Sequence, residues 1–206
     1  MTISVILADD HAVLRQGLAP LLEMEPDIVL LAQGTNGQEA WQQIQALQPD
    51  VAILDIGMPE LSGIEVAREV EAQGLETRVV LLTMRDDPNA AADAQEAGAS
   101  GYVLKDSAFE ELLLAVRTVA VGGTFMTPSI QAKLRELKRS GTVTLSARER
   151  EVIRLIALGK SSKEIARMLD ISPATVGTYR NRLMEKLALH TVADVVRYAV
   201  RAGMVD

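Results

Sequence analysis

Apolar and polar positions follow two rhythms along this chain, and the change of rhythm divides it. Up to about residue 120, short apolar runs alternate with stretches in which apolar residues recur every third or fourth position. The runs Ile3 to Ala8, Ile28 to Ala32, Val51 to Leu54, Arg78 to Leu82 and Tyr102 to Leu104 read as strands. Between them the spacing predicts helices: one carrying Leu14, Leu18, Leu21 and Leu22; one capped by Asn36 and running to about Leu47, with Ala40 and Ile44 inward; one from about Gly63 to Ala72; and one from Asp86 to Ala97. A fifth, capped by Ser107, has Phe109, Leu112, Leu113, Val116 and Val119 as its apolar side. Strict strand–helix alternation predicts a parallel sheet covered on both faces, with right-handed crossovers.

After Gly122 and Gly123 the pattern is purely helical. Pro128 to about Lys138 reads as a connecting helix and Ser140–Gly141–Thr142 as a joint. Ser146 with Glu149 forms a capping-box pattern that opens a helix ended by Gly159. Ser162 to Leu169 is a short second helix, Asp170–Ile171–Ser172 a tight turn, and Ser172 then caps a third helix with Pro173 in its first position. A last helix, about Thr191 to Ala202, carries Val192, Val195, Val196 and Ala199 as an apolar stripe. The predicted organisation is a first domain over 1–122, a linker with a helix over 123–143, and an all-α domain over 144–206.

Composition narrows the class. Apolar residues make up 48% of the chain but aromatics only 3%, so the cores are aliphatic. There is no Cys, which removes disulfides and thiolate metal sites and fits a reducing, cytoplasmic setting. No apolar run approaches the roughly 18 residues that span a bilayer, and MTISVILADDH is not a signal peptide, so no membrane role is expected. Charge is strongly segregated. Residues 1–126 hold 6 Lys and Arg against 20 Asp and Glu, whereas residues 127–206 hold 15 against 8. A basic, helical half points to a polyanion partner, and the acidic half should attract it.

The polar residues that close the strands carry the candidate chemistry. Asp9, Asp10, Asp55, Thr83 and Lys105 each fall at the carboxyl end of a predicted strand, where open α/β sheets bind ligands. Taken alone, Asp55 reads as a cap for the segment after it. Adjacency of the first, third, fourth and fifth strands brings all five residues into one crevice. Three carboxylates there repel one another unless a cation intervenes, and an all-oxygen donor set selects Mg²⁺ or Mn²⁺. His11 reads as a loop residue beside the pocket, not as a ligand. A carboxylate, a divalent ion, an ammonium and a hydroxyl suit phosphoryl transfer to an aspartate.

The Asp9–Asp10 pair, Asp55 followed by MPELSG, Thr83 and Lys105 together make residues 1 to about 120 resemble the receiver domain of two-component response regulators. The resemblance implies a flavodoxin-like five-stranded sheet of order 2-1-3-4-5, with Asp55 as phosphoacceptor. It makes Asp10 a direct Mg²⁺ ligand, has Asp9 act mainly through water, and adds the Gly57 carbonyl to the metal set. It also implies that Thr83 bonds the phosphoryl group, that Lys105 pairs with it, and that Tyr102 is the aromatic that turns inward on activation. Gly57 and Arg85 occupy positions that tune loss of the phosphoryl group, and Met84 is bulky enough to shield it.

In the second half the pattern fits a helix-turn-helix. Ala166 permits a close crossing, and Ile165, Leu169, Ile171, Val176 and Leu183 fill the core. Thr175, Gly177, Thr178, Arg180, Asn181 and Arg182 occupy the opposite face. Arg180, Arg182 and Lys163 suit phosphates, and the short polar residues suit base edges. LSARERE, SKEIARMLDIS, TV and MEKL closely resemble the four-helix DNA-binding domain of the NarL/LuxR (FixJ) type. Gly177 and Tyr179 depart from it, standing where that family usually has Lys and His. The resemblance makes part of the Val192, Val195, Val196 and Ala199 stripe a dimer surface.

The whole chain then reads as a transcription factor that a sensor histidine kinase switches by phosphorylating Asp55. It would bind double-stranded DNA as a homodimer when phosphorylated, and catalyse only its own phosphoryl transfer and dephosphorylation. Two alternatives stay open. A phosphatase of similar pocket usually has a second Asp two residues after the first, where this chain has Gly57. A constitutive regulator would keep the receiver as a structural part only.

Overall fold

Successive residues of each strand point to opposite faces of one sheet, and each face builds its own core. A computed structural model describes all residues except 1, 85, 108, 140–144, 146, 170, 188 and 206. Arg85, Ser140–Gly141–Thr142, Ser146 and Asp170, which the sequence assigned to tuning, joint, cap and turn, lie outside the described residues. The first unit runs β1 (Ile3–Ala8), α1 (Ala12–Glu23), β2 (Ile28–Gly34), α2 (Gly37–Leu47), β3 (Val51–Asp55), α3 (Gly63–Ala72), β4 (Arg78–Thr83), α4 (Pro88–Glu96), β5 (Gly101–Leu104) and α5 (Phe109–Ala120). It continues into β6 (Phe125–Met126) and α6 (Pro128–Arg139).

The sheet is parallel, in the order β2-β1-β3-β4-β5-β6. Ile6, Ala8, Ala52, Leu54, Val79, Leu81 and Tyr102 face one way, onto buried residues of α2, α3, α4 and α6. Val5, Leu7, Val51, Ile53, Val80, Leu82 and Val103 face the other, onto α1 and α5. Of the α1 leucines singled out by spacing, Leu22 is fully buried while Leu21 stays exposed. The helix expected from Asp86 starts at Pro88, because Asp87 instead serves as its cap and accepts from Asn89 N at 2.9 Å.

Two expectations are corrected here. The sheet has six strands, because Phe125–Met126 adds in parallel to β5, pairing Tyr102 with Met126. The segment 123–143 is not simply a linker. Ile130 and Leu134 of α6 are buried in the same core as Tyr102, and the boundary between units falls inside α6, after Arg135. A strand of two residues leaves no periodic trace, and an amphipathic helix does not reveal what it packs against.

Two close approaches fix the loop after β3. A Cβ on Gly63 would stand 2.4 Å from the Asp55 carbonyl oxygen, and one on Gly37 would stand 1.8 Å from that of Leu61. Only glycine lets α3 and α2 begin this near the end of β3. Ser62 and Glu65 close a capping box on α3.

The second unit holds α7 (Ala147–Ala157), α8 (Ser162–Met168), α9 (Pro173–Lys186) and α10 (Val192–Arg201) around one aliphatic core. Ser161 and Ser172 cap α8 and α9, and Pro173 opens α9 as expected. Glu149 is buried in this core and accepts from Lys186 Nζ at 2.9 Å, which ties α7 to the end of α9. Val195 and Ala199 are buried at 3% and 0% exposure. They are core residues rather than a dimer surface, because their turn of α10 faces the other helices. Val192 is exposed and Val196 half-buried, so the outer part of the expected stripe is confined to these two. Among the described residues no helix is long and apolar enough to cross a membrane.

Candidate functional site

Strand order makes the first site. With β1, β3, β4 and β5 adjacent, their carboxyl ends form one edge, and Asp9, Asp55, Thr83 and Lys105 meet there. Asp9 and Asp55 are buried at 0% and 4% exposure, and Thr83 at 5%. The Lys105 ammonium lies 2.9 Å from both Asp9 Oδ2 and Asp55 Oδ2. Arg15 donates to the Asp9 carbonyl at 2.5 Å and so braces the β1–α1 turn. Asp10 is exposed beside the pair. A methyl on Gly57 would meet only Asp55 Oδ2, at 3.8 Å, so this side of the pocket is open.

The donor chemistry fits a divalent cation. Asp9 Oδ2 and Asp55 Oδ2 are buried and accept no hydrogen bond of good geometry, although the ammonium stands close to each. Asp9, Asp10, His11 and Asp55 each offer a ligand atom, all within 4.8 Å of one another. One ammonium does not neutralise three carboxylates, so a cation relieves the remaining negative charge. Sequence reasoning left His11 outside this set. Its Nδ1 is 2.8 Å from Asp10 Oδ1 and 3.1 Å from Asp9 Oδ1. No periodicity or spacing signals the direction in which a loop ring turns.

Tyr102 is 2% exposed, so the aromatic expected to turn inward lies inside. Burial pushes its phenol up to about 12, and the neighbouring Thr83 hydroxyl offsets part of the rise. Burial is the larger of the two effects. Met84 is 75% exposed at the mouth of the pocket, where it lines an apolar groove of about 540 Å³ with His11, Val13, Leu18 and Lys105.

The second site is the outer face of α9. Val176 and Leu183 point into the core, which turns Thr178, Asn181 and Arg182 outward, with Thr175 also exposed. Lys163 on α8 is exposed too. Gly177 and Arg180 are half-buried on the flanks. Arg180 lines a cleft of about 160 Å³ with Lys160, Ser161 and Val192, so it sits off the main outward face. A Cβ on Gly177 would meet nothing within 4 Å.

Residues 5–117 match the model of the response regulator receiver domain, and residues 143–199 that of the bacterial regulatory proteins of the luxR family. The chain is a LuxR-family response regulator. It is 36% identical to the oxygen regulatory protein NreC of Staphylococcus haemolyticus, over 98% of this chain and 99% of that one. Identity to the transcriptional regulatory protein UhpA of Escherichia coli is 38%, over 95% and 96% of the two chains. Among solved structures, the receiver domain of the putative response regulator NarL from Mycobacterium tuberculosis aligns with a TM-score of 0.58 at 36% identity, covering 59% of this chain and 98% of that domain. RcsB from Salmonella enterica serovar Typhimurium, bound to a promoter in the presence of a phosphomimetic, aligns with a TM-score of 0.65 at 26% identity, over 96% and 98%. This response regulator therefore carries a receiver at one end and a LuxR-type helix-turn-helix at the other.

Proposed function

We propose that this response regulator is a cytoplasmic transcription factor switched by Mg²⁺-dependent phosphorylation of Asp55 by a sensor histidine kinase. The observation that carries the reading is the meeting of Asp55, Asp9 and Lys105 in one buried pocket, on a chain that also bears a helix-turn-helix. Asp9, Asp10, Asp55 and the Gly57 carbonyl would hold the cation. When bound, it spreads the negative charge of the transferring phosphoryl group. A carboxylate oxygen of Asp55 attacks phosphorus in line as the bond to the donor imidazole breaks. Lys105 stands against the incoming oxygens, and Thr83 supplies a hydroxyl to the phosphoryl group. The donor has to reach Asp55 through the pocket mouth, and the exposed Val13 and Met84 there give a kinase domain an apolar surface to cover. In this reading the chain catalyses only its own phosphoryl transfer and dephosphorylation.

On α9, Asn181 and the threonines read bases while Arg182 and Lys163 contact phosphates. RcsB, the relative bound to a promoter with a phosphomimetic, supports both DNA as partner and phosphorylation as the switch. Dimers on paired half-sites follow from the two-fold logic of such motifs, with Val192 and Val196 at the seam.

Acetyl phosphate with Mg²⁺ should label the protein, and Asp55→Asn should abolish the labelling. A chain that stays unlabelled has a merely structural receiver. Release of phosphate from added phosphomonoesters with multiple turnover points instead to a phosphatase. Sequences selected from random DNA with and without phosphorylation then give the target. Asn181→Ala should cost about 1–3 kcal/mol and relax the preference, whereas Lys163→Ala should weaken all sequences alike.

A further inference from the structure

His11 is the one residue of the donor cluster whose presence the phosphorylation chemistry does not require. Its Nδ1 lies 2.8 Å from Asp10 Oδ1, 3.1 Å from Asp9 Oδ1 and 3.6 Å from Asp55 Oδ2. Its backbone N–H donates to Asp9 Oδ1 at 2.8 Å, which fixes the start of the side chain over the pocket. His11 precedes α1 in the cap position, yet its side chain makes no capping bond and faces the carboxylates instead. Two of the oxygens around this space, Asp9 Oδ2 and Asp55 Oδ2, are buried, and their one near cation among the described residues is the Lys105 ammonium, 2.9 Å from each.

The same Nδ1 lies 3.4 Å from the Lys105 ammonium, and its separations from the carboxylates suit hydrogen bonds as well as the edges of a coordination shell. Ligands bonded to one ion at about 2.1 Å stand roughly 3.0 Å apart along an octahedral edge and roughly 3.4 Å apart along a tetrahedral one. The three His11 separations bracket these values. The ring is 62% exposed, so it is reachable by an ion entering from solvent.

We propose that His11 Nδ1 is a ligand of the divalent ion held by Asp9, Asp10 and Asp55, and that it shifts this site from Mg²⁺ towards Mn²⁺ and Ni²⁺. The proposal rests on the reading of the pocket as a cation site. Mg²⁺ is hard, prefers oxygen and parts reluctantly with water, so an imidazole adds little to its binding. Borderline ions gain more from imidazole, increasingly so from Mn²⁺ to Ni²⁺. A nitrogen in the shell therefore sets which ion occupies the pocket when both are present.

The test uses the full chain, titrated calorimetrically with Mg²⁺, Mn²⁺ and Ni²⁺ in the wild type, His11→Ala and Asp10→Asn. His11→Ala should weaken Ni²⁺ by about 10-fold or more, since loss of even an outer partner of a ligand costs 10–100-fold, weaken Mn²⁺ less, and leave Mg²⁺ within about twofold. Asp10→Asn should weaken all three. Pulsed electron paramagnetic resonance of bound Mn²⁺ supplies a readout independent of affinity. The chain has 2 histidines, and the other, His190, lies in the second unit. Nitrogen modulation on Mn²⁺ that disappears in His11→Ala and persists in His190→Ala supports the assignment. Modulation that is absent in the wild type or survives His11→Ala overturns it, as does an equal loss for all three ions. In those cases metal still binds and the phosphorylation reading stands. A wild type that binds none of the three ions overturns both.

Discussion

Asp55 is a buried carboxylate held 2.9 Å from an ammonium and close to two further acids, and the proposed phosphorylation rests on this crowding. Tyr102 shows burial acting on a titratable group nearby. Its ordinary value near 10 rises to about 12 in the folded chain. Between those values the folded state holds a proton that the unfolded state has lost. The stabilisation is therefore full below about pH 10 and drains away as pH climbs towards 12. Urea unfolding followed through this alkaline range should show stability falling in the wild type, and Tyr102→Phe should flatten that fall. Equal slopes in the two proteins would place the titration elsewhere. At Gly177 open space surrounds the missing side chain. Gly177→Ala should stabilise the second unit by up to ~1 kcal/mol through helix propensity, measured by thermal unfolding. Gly177→Lys should tighten DNA binding, read by fluorescence anisotropy, because it adds a cation beside the outward face.

The elements carry the pattern that the sequence displays. Five strands and five helices were legible because period-two and three-to-four spacing translate directly into faces, and α9 was bounded by its own cap and proline. What the pattern concealed was α6. Its helical spacing was clear, but the residues it buries belong to the receiver, beside Tyr102, with Lys133 reaching Asp86 at 2.5 Å after β4. Ile130→Ala removes a fully buried side chain from that core. It should lower receiver stability by about 2–5 kcal/mol, seen in the unfolding transition of the receiver within the whole chain. A change confined to the second unit would instead restore α6 to a linker role.

For the whole molecule the governing fact is segregated charge. Residues 1–126 carry an acidic excess of 14 and residues 127–206 a basic excess of 7. Opposite fields of this size attract over a Debye length of about 10 Å at 0.1 M salt and are cut to about 3 Å at 1 M. Small-angle scattering should therefore show the mean separation of the units growing with ionic strength. A radius of gyration that ignores salt would assign the charge to DNA binding alone.

The sequence by itself determined the strands, the helices, the basic partner-binding half and which acids end which strand, because these depend on local periodicity and on charge, both written along the chain. The tertiary structure alone decided that β1, β3, β4 and β5 lie side by side, that Val195 and Ala199 turn inward, and that α6 completes the receiver. It also decided that the His11 ring faces three carboxylates. Each of these is a contact between residues far apart in sequence or a choice of side-chain direction, and neither leaves a period for the sequence to show.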